Sequence, residues 1–106
     1  MTGRFEVQYT DSARADLLRL FDFLLDRAQT SEHFDHAQLA INAITDAVEQ
    51  HLSRTPFIYR KAGESPFLRE LLIPSCAAGY VALYEIEGSS RVNILAARHQ
   101  REDDYH

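Results

Sequence analysis

The chain has 106 residues and a formal net charge of −5, because it carries 11 basic residues against 16 acidic ones. Hydrophobic residues make up 45% of the chain and charged residues 25%, which is the composition of a folded domain and excludes wholesale disorder. The length predicts a single domain over residues 1–106, and one cysteine excludes an internal disulfide framework and a cysteine-based zinc site.

The sequence predicts a cytoplasmic protein without a membrane partner. No apolar run approaches the roughly 20 residues that cross a bilayer. The first nine residues include Arg4 and Glu6 and lack the long apolar core of a secretory signal. Because the chain is acidic, it has no bulk attraction for nucleic acid, and any contact with a polyanion must be local.

The first half of the chain predicts a strand followed by two helices. Residues 5–9 alternate apolar and polar side chains, which is typical of a half-buried strand. Thr10, Asp11 and Ser12 offer side chains that can cap a helix, whose apolar positions recur with helical spacing as far as Ala28. A second apolar stripe from Ala37 to Leu52 predicts another helix, which must end before Pro56. A short turn between the two helices makes them an antiparallel hairpin.

The second half predicts a loop over residues 57–66 and then three strands, at residues 67–73, 80–86 and 91–99. Consecutive strands joined by short turns pair antiparallel. The apolar stripes of the helices must be buried, and the sheet offers the only surface for them. The predicted fold class is α+β, with an N-terminal strand at the edge of the sheet, an antiparallel helix hairpin and a three-stranded antiparallel sheet.

Three segments of the second half carry a resemblance to a known family, namely residues 68–71 (LREL), 79–84 (GYVALY) and 94–99 (ILAARH). Together with Tyr9, Ala13, Asp16-Leu17 and Pro56, they resemble the RelE/ParE superfamily of toxins from type II toxin–antitoxin systems. The resemblance implies a toxin of a plasmid-stabilisation or bacterial stress-response system, neutralised by a cognate antitoxin. It also implies a homodimer or a heterotetramer with that antitoxin.

The resemblance implies one of two targets. ParE-like members inhibit DNA gyrase and are not enzymes, whereas RelE-like members are ribosome-dependent endoribonucleases that cut mRNA. The chain favours the ParE-like alternative, because Lys61 is its only lysine, its net charge is negative and Arg101 is followed by three acids. A third alternative is a non-toxic binding protein on the same fold.

If the protein is RelE-like, the catalytic candidates are Arg69, Arg98 and His99. Attack by a 2′-hydroxyl needs groups that transfer protons and cations that stabilise the phosphate. His99 would transfer protons, since histidine ionises near neutral pH, and the two arginines would hold the phosphate. The structural alternatives are an ion pair between Arg69 and a carboxylate of a neighbouring strand, and a surface position for His99 at a strand end.

The antitoxin-binding residues are predicted from apolar side chains that lie off the main stripe of the first helix, namely Leu18, Phe23 and Leu25. Arg101 and Tyr105 in the C-terminal segment complete this prediction. A free sheet edge can accept an added strand, and the groove beside the helix hairpin can accept an amphipathic helix. The alternative is that the same apolar residues pack at the edge of the core or form a homodimer contact.

The sequence predicts no metal site and no cofactor. His33 and His36 are close in sequence at the start of the second helix, but no cysteine or further histidine lies near them, which favours a solvated helix end. The chain has no glycine-rich phosphate loop.

Overall fold

The computed structural model of the chain describes residues 4–26, 31–74 and 79–100, and two helices pack there on one face of a five-stranded sheet. The elements are, in chain order, β1 (Glu6–Tyr9), α1 (Asp11–Asp26), α2 (Ser31–Ala47), a π-helical turn (Val48–Leu52), a 3-10 turn (Pro56–Ile58), β2 (Arg60–Lys61), β3 (Leu68–Pro74), β4 (Gly79–Glu87) and β5 (Arg91–His99). This order confirms the predicted α+β class.

The strand order across the sheet is β1-β5-β4-β3-β2. The last three strands of the chain form the predicted antiparallel meander, and β1 lies at the edge, parallel to β5. The prediction gave four strands, three in the antiparallel sheet and one at its edge, whereas the structure has five. The additional strand is β2, which lies within the predicted loop over residues 57–66. Arg60 and Lys61 pair there with Glu70 and Arg69 of β3. Two residues are too few to show the alternation by which a strand is recognised in a sequence.

The core lies between the helices and one face of the sheet. Alternate residues of each strand point toward the helices, as the pleat of a strand requires. The largest fully buried side chain is Tyr84, in the middle strand of the sheet. The buried cluster comprises Ala13, Leu20, Ile44, Val48, Leu52, Leu71, Ile73, Tyr80, Ala82, Tyr84, Ile86, Val92, Ile94 and Ala97.

The ends of the helices follow the sequence signals. The backbone N–H of Ala13 donates to the Thr10 hydroxyl at 3.1 Å, which confirms Thr10 as the cap of α1. The Thr10 hydroxyl in turn donates to the Ile94 carbonyl of β5 at 2.8 Å, so the cap also ties the helix to the sheet. At the other end of the hairpin, α2 continues into the π-helical turn, which ends at Leu52, before Pro56, as predicted.

A second polar contact holds α1 against an irregularity in β5. The pairing of β4 with β5 shifts by one residue at Leu95, which has no partner across the strand. The Asp16 carboxylate accepts a hydrogen bond from the backbone N–H of Ala97, just beyond this bulge, at 2.9 Å. Asp16, one of the residues on which the family resemblance rests, therefore supports the fold.

The Asp16→Ala substitution is expected to lower the free energy of unfolding by about 1–2 kcal/mol, because the partly buried N–H of Ala97 loses its acceptor. Urea unfolding followed by circular dichroism measures the loss, and Asp16→Asn, which keeps an acceptor oxygen, should recover part of it. The matched control is Asp22→Ala, an exposed carboxylate of the same helix, which should cost less than about 0.5 kcal/mol. Equal losses for Asp16→Ala and Asp22→Ala would contradict this role.

Candidate functional site

An apolar groove runs along the surface between α1 and α2. It is open to solvent and encloses about 410 Å³. Its lining consists of Arg14, Leu17, Leu18, Phe21, Gln38 and Ile41. Leu17 and Ile41 also pack against the core, whereas the Leu18 side chain is 65% exposed. Such a groove can take the apolar side chains of a partner helix.

The predicted partner-binding residues do not all lie on one surface. Leu18 lines the groove, and the half-buried Leu25, two turns further along, lies on the same side of α1. Phe23 is 49% exposed but lies about 140° around the helix axis from Leu18, because five residues separate them at about 100° each. Arg101 and Tyr105 lie outside the described residues.

Backbone carbonyls hold the guanidinium of Arg69. Its Nε donates to the carbonyl of Pro66 at 2.8 Å and its Nη1 to the carbonyl of Tyr59 at 2.6 Å. The guanidinium carbon lies 5.7 Å from the centre of the Phe57 ring, within the range of a cation–π contact. Arg69 therefore fastens the segment before β3 to the sheet through carbonyls, where the sequence suggested a carboxylate of a neighbouring strand. An ion pair with a carboxylate of a neighbouring strand is made instead by Arg60 of β2, whose Nε donates to the Glu70 carboxylate of β3 at 2.8 Å.

The three RelE-like candidates do not meet at one point. Arg98 and His99 are adjacent on β5, so their side chains point to opposite faces of the sheet. The His99 ring contacts the Tyr80 ring edge to face, on the helix side, with the ring centres 5.5 Å apart. Arg69 lies opposite Tyr84, four residues along β4 from Tyr80, which separates it from His99 by on the order of 13 Å along the strand.

The half-buried Tyr9 and the fully buried Tyr84 both hold their protons strongly. Burial and the negative charges of Glu49 and Asp46 raise the pKa of Tyr9 to about 12. Burial also raises the pKa of Tyr84, although the nearby positive charge of Arg69 opposes this shift. Both hydroxyls are therefore protonated at neutral pH and can donate a hydrogen bond but cannot act as a general base.

A second exposed surface, which is not among the predictions from the sequence, is the aromatic patch, which consists of Phe57, Ile58 and Phe67. The Phe57 ring packs edge to face against Phe67 at 6.2 Å between ring centres and against Phe5 at 6.3 Å. A local signal was present, because residues 54–63 (RTPFIYRKAG) interleave aromatic and aliphatic side chains with three basic residues and no acid.

Among the residues that the structure describes, no three side chains of His, Cys, Asp or Glu are grouped closely enough to hold a metal ion. The side chain of His33 is not among them. No helix in the described part of the chain is long and apolar enough to cross a membrane.

The chain matches a known family and known folds. The sequence profile of the family described as "ParE toxin of type II toxin-antitoxin system, parDE" matches residues 7–104. A chain of the chromosomal ParDE toxin–antitoxin system from P. aeruginosa is similar in structure, with a TM-score of 0.72 and 18% sequence identity, over 92% of this chain and 98% of that one.

A second structural neighbour comes from the toxin–antitoxin complex RelBE2 of Mycobacterium tuberculosis, with a TM-score of 0.59 and 19% identity. The match covers 96% of this chain and 97% of that one. A comparison with curated proteins finds no match. The two structural neighbours share the fold, and the family profile spans nearly the whole sequence. The resemblance to the RelE/ParE superfamily is thereby confirmed, and the chain belongs to the ParE toxin family of type II toxin–antitoxin systems.

Proposed function

We propose that this protein inhibits DNA gyrase and that a cognate antitoxin silences it. The placement of Arg69, Arg98 and His99 is the observation that favours gyrase inhibition over mRNA cleavage. An RNA-cleaving site needs its base, acid and cations within hydrogen-bonding reach of one phosphate group. Here Arg98 and His99 face opposite sides of the sheet, and Arg69 donates to two backbone carbonyls.

The charge of the chain and the family supply further support. A net charge of −5 disfavours an approach to ribosomal RNA, whose phosphates attract clustered Lys and Arg. A protein target does not impose that requirement. The family profile and the P. aeruginosa ParDE neighbour both name the ParE branch.

The groove between α1 and α2 is the surface that we assign to the antitoxin. Its lining is mostly apolar, as required by a helix that presents side chains at positions i, i+3 and i+4. Arg14 lies in the lining and pairs with Asp11 only at 3.8 Å on the exposed surface, so it can bind an acidic side chain of the incoming helix instead. We therefore expect an amphipathic antitoxin helix with an acid beside its apolar face.

A supercoiling assay tests the choice of target. The purified protein is incubated with DNA gyrase and relaxed plasmid, and in parallel with ribosomes carrying mRNA. We expect loss of supercoiling and intact mRNA, and addition of the antitoxin should restore supercoiling. The His99→Ala variant should inhibit gyrase as strongly as the wild type, because this proposal gives His99 no part in the activity.

The opposite results identify the alternatives. Cleaved mRNA with normal supercoiling, and a His99→Ala variant that folds but no longer slows growth, would establish the RelE-like ribonuclease. A chain that affects neither reaction and never slows growth when expressed alone would establish a non-toxic binding protein on the same fold.

A further inference from the structure

The aromatic patch is a rigid apolar surface that the proposed antitoxin groove does not include. Ile58, next to Phe57 in the 3-10 turn, is 69% exposed, more than any other large hydrophobic side chain that the structure describes. Phe57 and Phe67, beside it, each expose nearly half of their surface. The edge-to-face packing of Phe57 and its contact with the Arg69 guanidinium fix its ring, so little conformational freedom is lost when a partner binds.

The patch lies in a positive segment of an acidic protein. Residues 54–67 contain three basic residues and one acid, a net charge of +2 where the whole chain has −5. Glu70 neutralises Arg60 through a 2.8 Å contact. Arg54, which precedes the patch in sequence, and Lys61, between Ile58 and Phe67, then stand against Glu64, a net charge of +1. None of these three residues makes an ion pair with another residue in the described ranges. A partner that is both apolar and acidic complements this surface.

We propose that the aromatic patch binds an acidic segment with apolar side chains on the protein target of the toxin. Phe57 and Phe67 offer rings on which bases can stack, but a nucleic acid fits less well, because two cations give little affinity for a phosphate backbone and Ile58, the most exposed residue of the patch, offers no stacking surface. Exposed aromatic and arginine side chains around an apolar centre are typical of the energetically dominant part of a protein–protein interface.

The location of the patch assigns it to the target rather than to the antitoxin helix. Ile41 in the groove and Leu52 at the end of the π-helical turn are 11 residues apart, or roughly 16 Å at the rise of an α-helix, and the residues of the patch follow Leu52 in sequence. No residue of the patch lines the groove, so a helix confined to the groove leaves the patch uncovered. This inference rests on the proposed function to the extent that the toxin has a protein target.

The test compares two charges at one exposed position. Ile58→Glu places a negative charge in the patch and should raise the concentration for half-inhibition of gyrase at least about tenfold, with a matching loss of growth arrest. Ile58→Lys removes the same apolar contact but attracts an acidic partner, and should stay within about threefold of the wild type. The matched control is Leu39→Glu, a 61% exposed position of α2 outside the groove lining, which should change neither quantity.

Unfolding curves verify that all three variants are folded, and an unchanged antitoxin affinity in calorimetric titration verifies that the groove is intact. If the wild type arrests growth but leaves gyrase active, the gyrase proposal fails, and the difference between Ile58→Glu and Ile58→Lys in the growth assay still tests the patch. Full toxicity of Ile58→Glu, or equal loss from both variants, would overturn the inference. So would loss of antitoxin binding by Ile58→Glu in the titration, or binding of a labelled single-stranded oligonucleotide that this variant abolishes.

Discussion

The Tyr84→Ala variant is expected to lose about 3–5 kcal/mol of the free energy of unfolding, which is enough to unfold a marginally stable domain. Tyr84 is fully buried, and it lies in the middle strand of the sheet with strands on both sides. Removal of its ring leaves a cavity between the sheet and the helices that the surrounding side chains can fill only in part. Urea unfolding followed by circular dichroism measures the loss.

The Tyr84→Phe variant separates the hydroxyl from the ring. The buried hydroxyl donates to the carbonyl of Pro56 at 2.6 Å, so its removal leaves that carbonyl without the donor and should cost about 1–2 kcal/mol. Tyr80→Phe is the control, because Tyr80 is equally a buried tyrosine of β4 but its hydroxyl bonds to no residue within the described ranges. A Tyr84→Phe variant as stable as Tyr80→Phe would contradict the importance of this bond.

The same bond has a functional consequence. It joins the middle of the sheet to the 3-10 turn that carries Phe57 and Ile58. Arg69 holds the same segment from β3 through the carbonyls of Tyr59 and Pro66. Two residues of the family resemblance, Tyr84 and Arg69, thus hold the segment that carries the aromatic patch.

The regular elements could be predicted because each buries one face. β5 has its predicted bounds, Arg91–His99, since a long run of strand-forming residues follows a turn in which Gly88 takes a φ of 65°, a conformation that favours glycine. The direction of β1 relative to β5, the two-residue β2 and the π-helical turn could not be predicted. They depend on contacts between distant segments and leave no periodic signal.

Some features of the candidate site could likewise be predicted from the sequence, and others could not. That Arg98 and His99 face opposite sides follows from their adjacency on a strand and could have been derived from the sequence alone. That Phe23 lies on another flank of α1 than Leu18 likewise follows from helical geometry. The carbonyl partners of Arg69 depend on the path of the loop before β3, and the bond from Ala97 to Asp16 joins residues 81 positions apart. Sequence periodicity carries no information about either.

The Leu18→Glu variant is expected to bind the antitoxin about 30- to 1,000-fold more weakly than the wild type, a loss of about 2–4 kcal/mol, and to remain toxic. Leu18 is the most exposed apolar side chain of the groove, so an apolar helix that lies there would cover it. A carboxylate at this position would place a charge against the apolar side chains of the antitoxin helix. It would also lie four residues after Arg14 and compete for that arginine with the acid of the incoming helix. Calorimetric titration with the antitoxin measures the affinity, and co-expression shows whether the antitoxin still rescues growth.

Two control variants locate the binding surface. Phe23→Glu changes another flank of α1, and Leu39→Glu changes α2 outside the groove lining, so both should bind the antitoxin nearly as the wild type does. Equal weakening by Leu18→Glu and Phe23→Glu would contradict a site confined to the groove and would favour an antitoxin that surrounds α1. A wild-type dimer that Leu18→Glu converts to a monomer in size-exclusion chromatography, with antitoxin affinity unchanged, would assign the groove to a second copy of this chain instead. The affinity and the oligomeric state must therefore be measured on the same variants, because only together do they separate the two occupants.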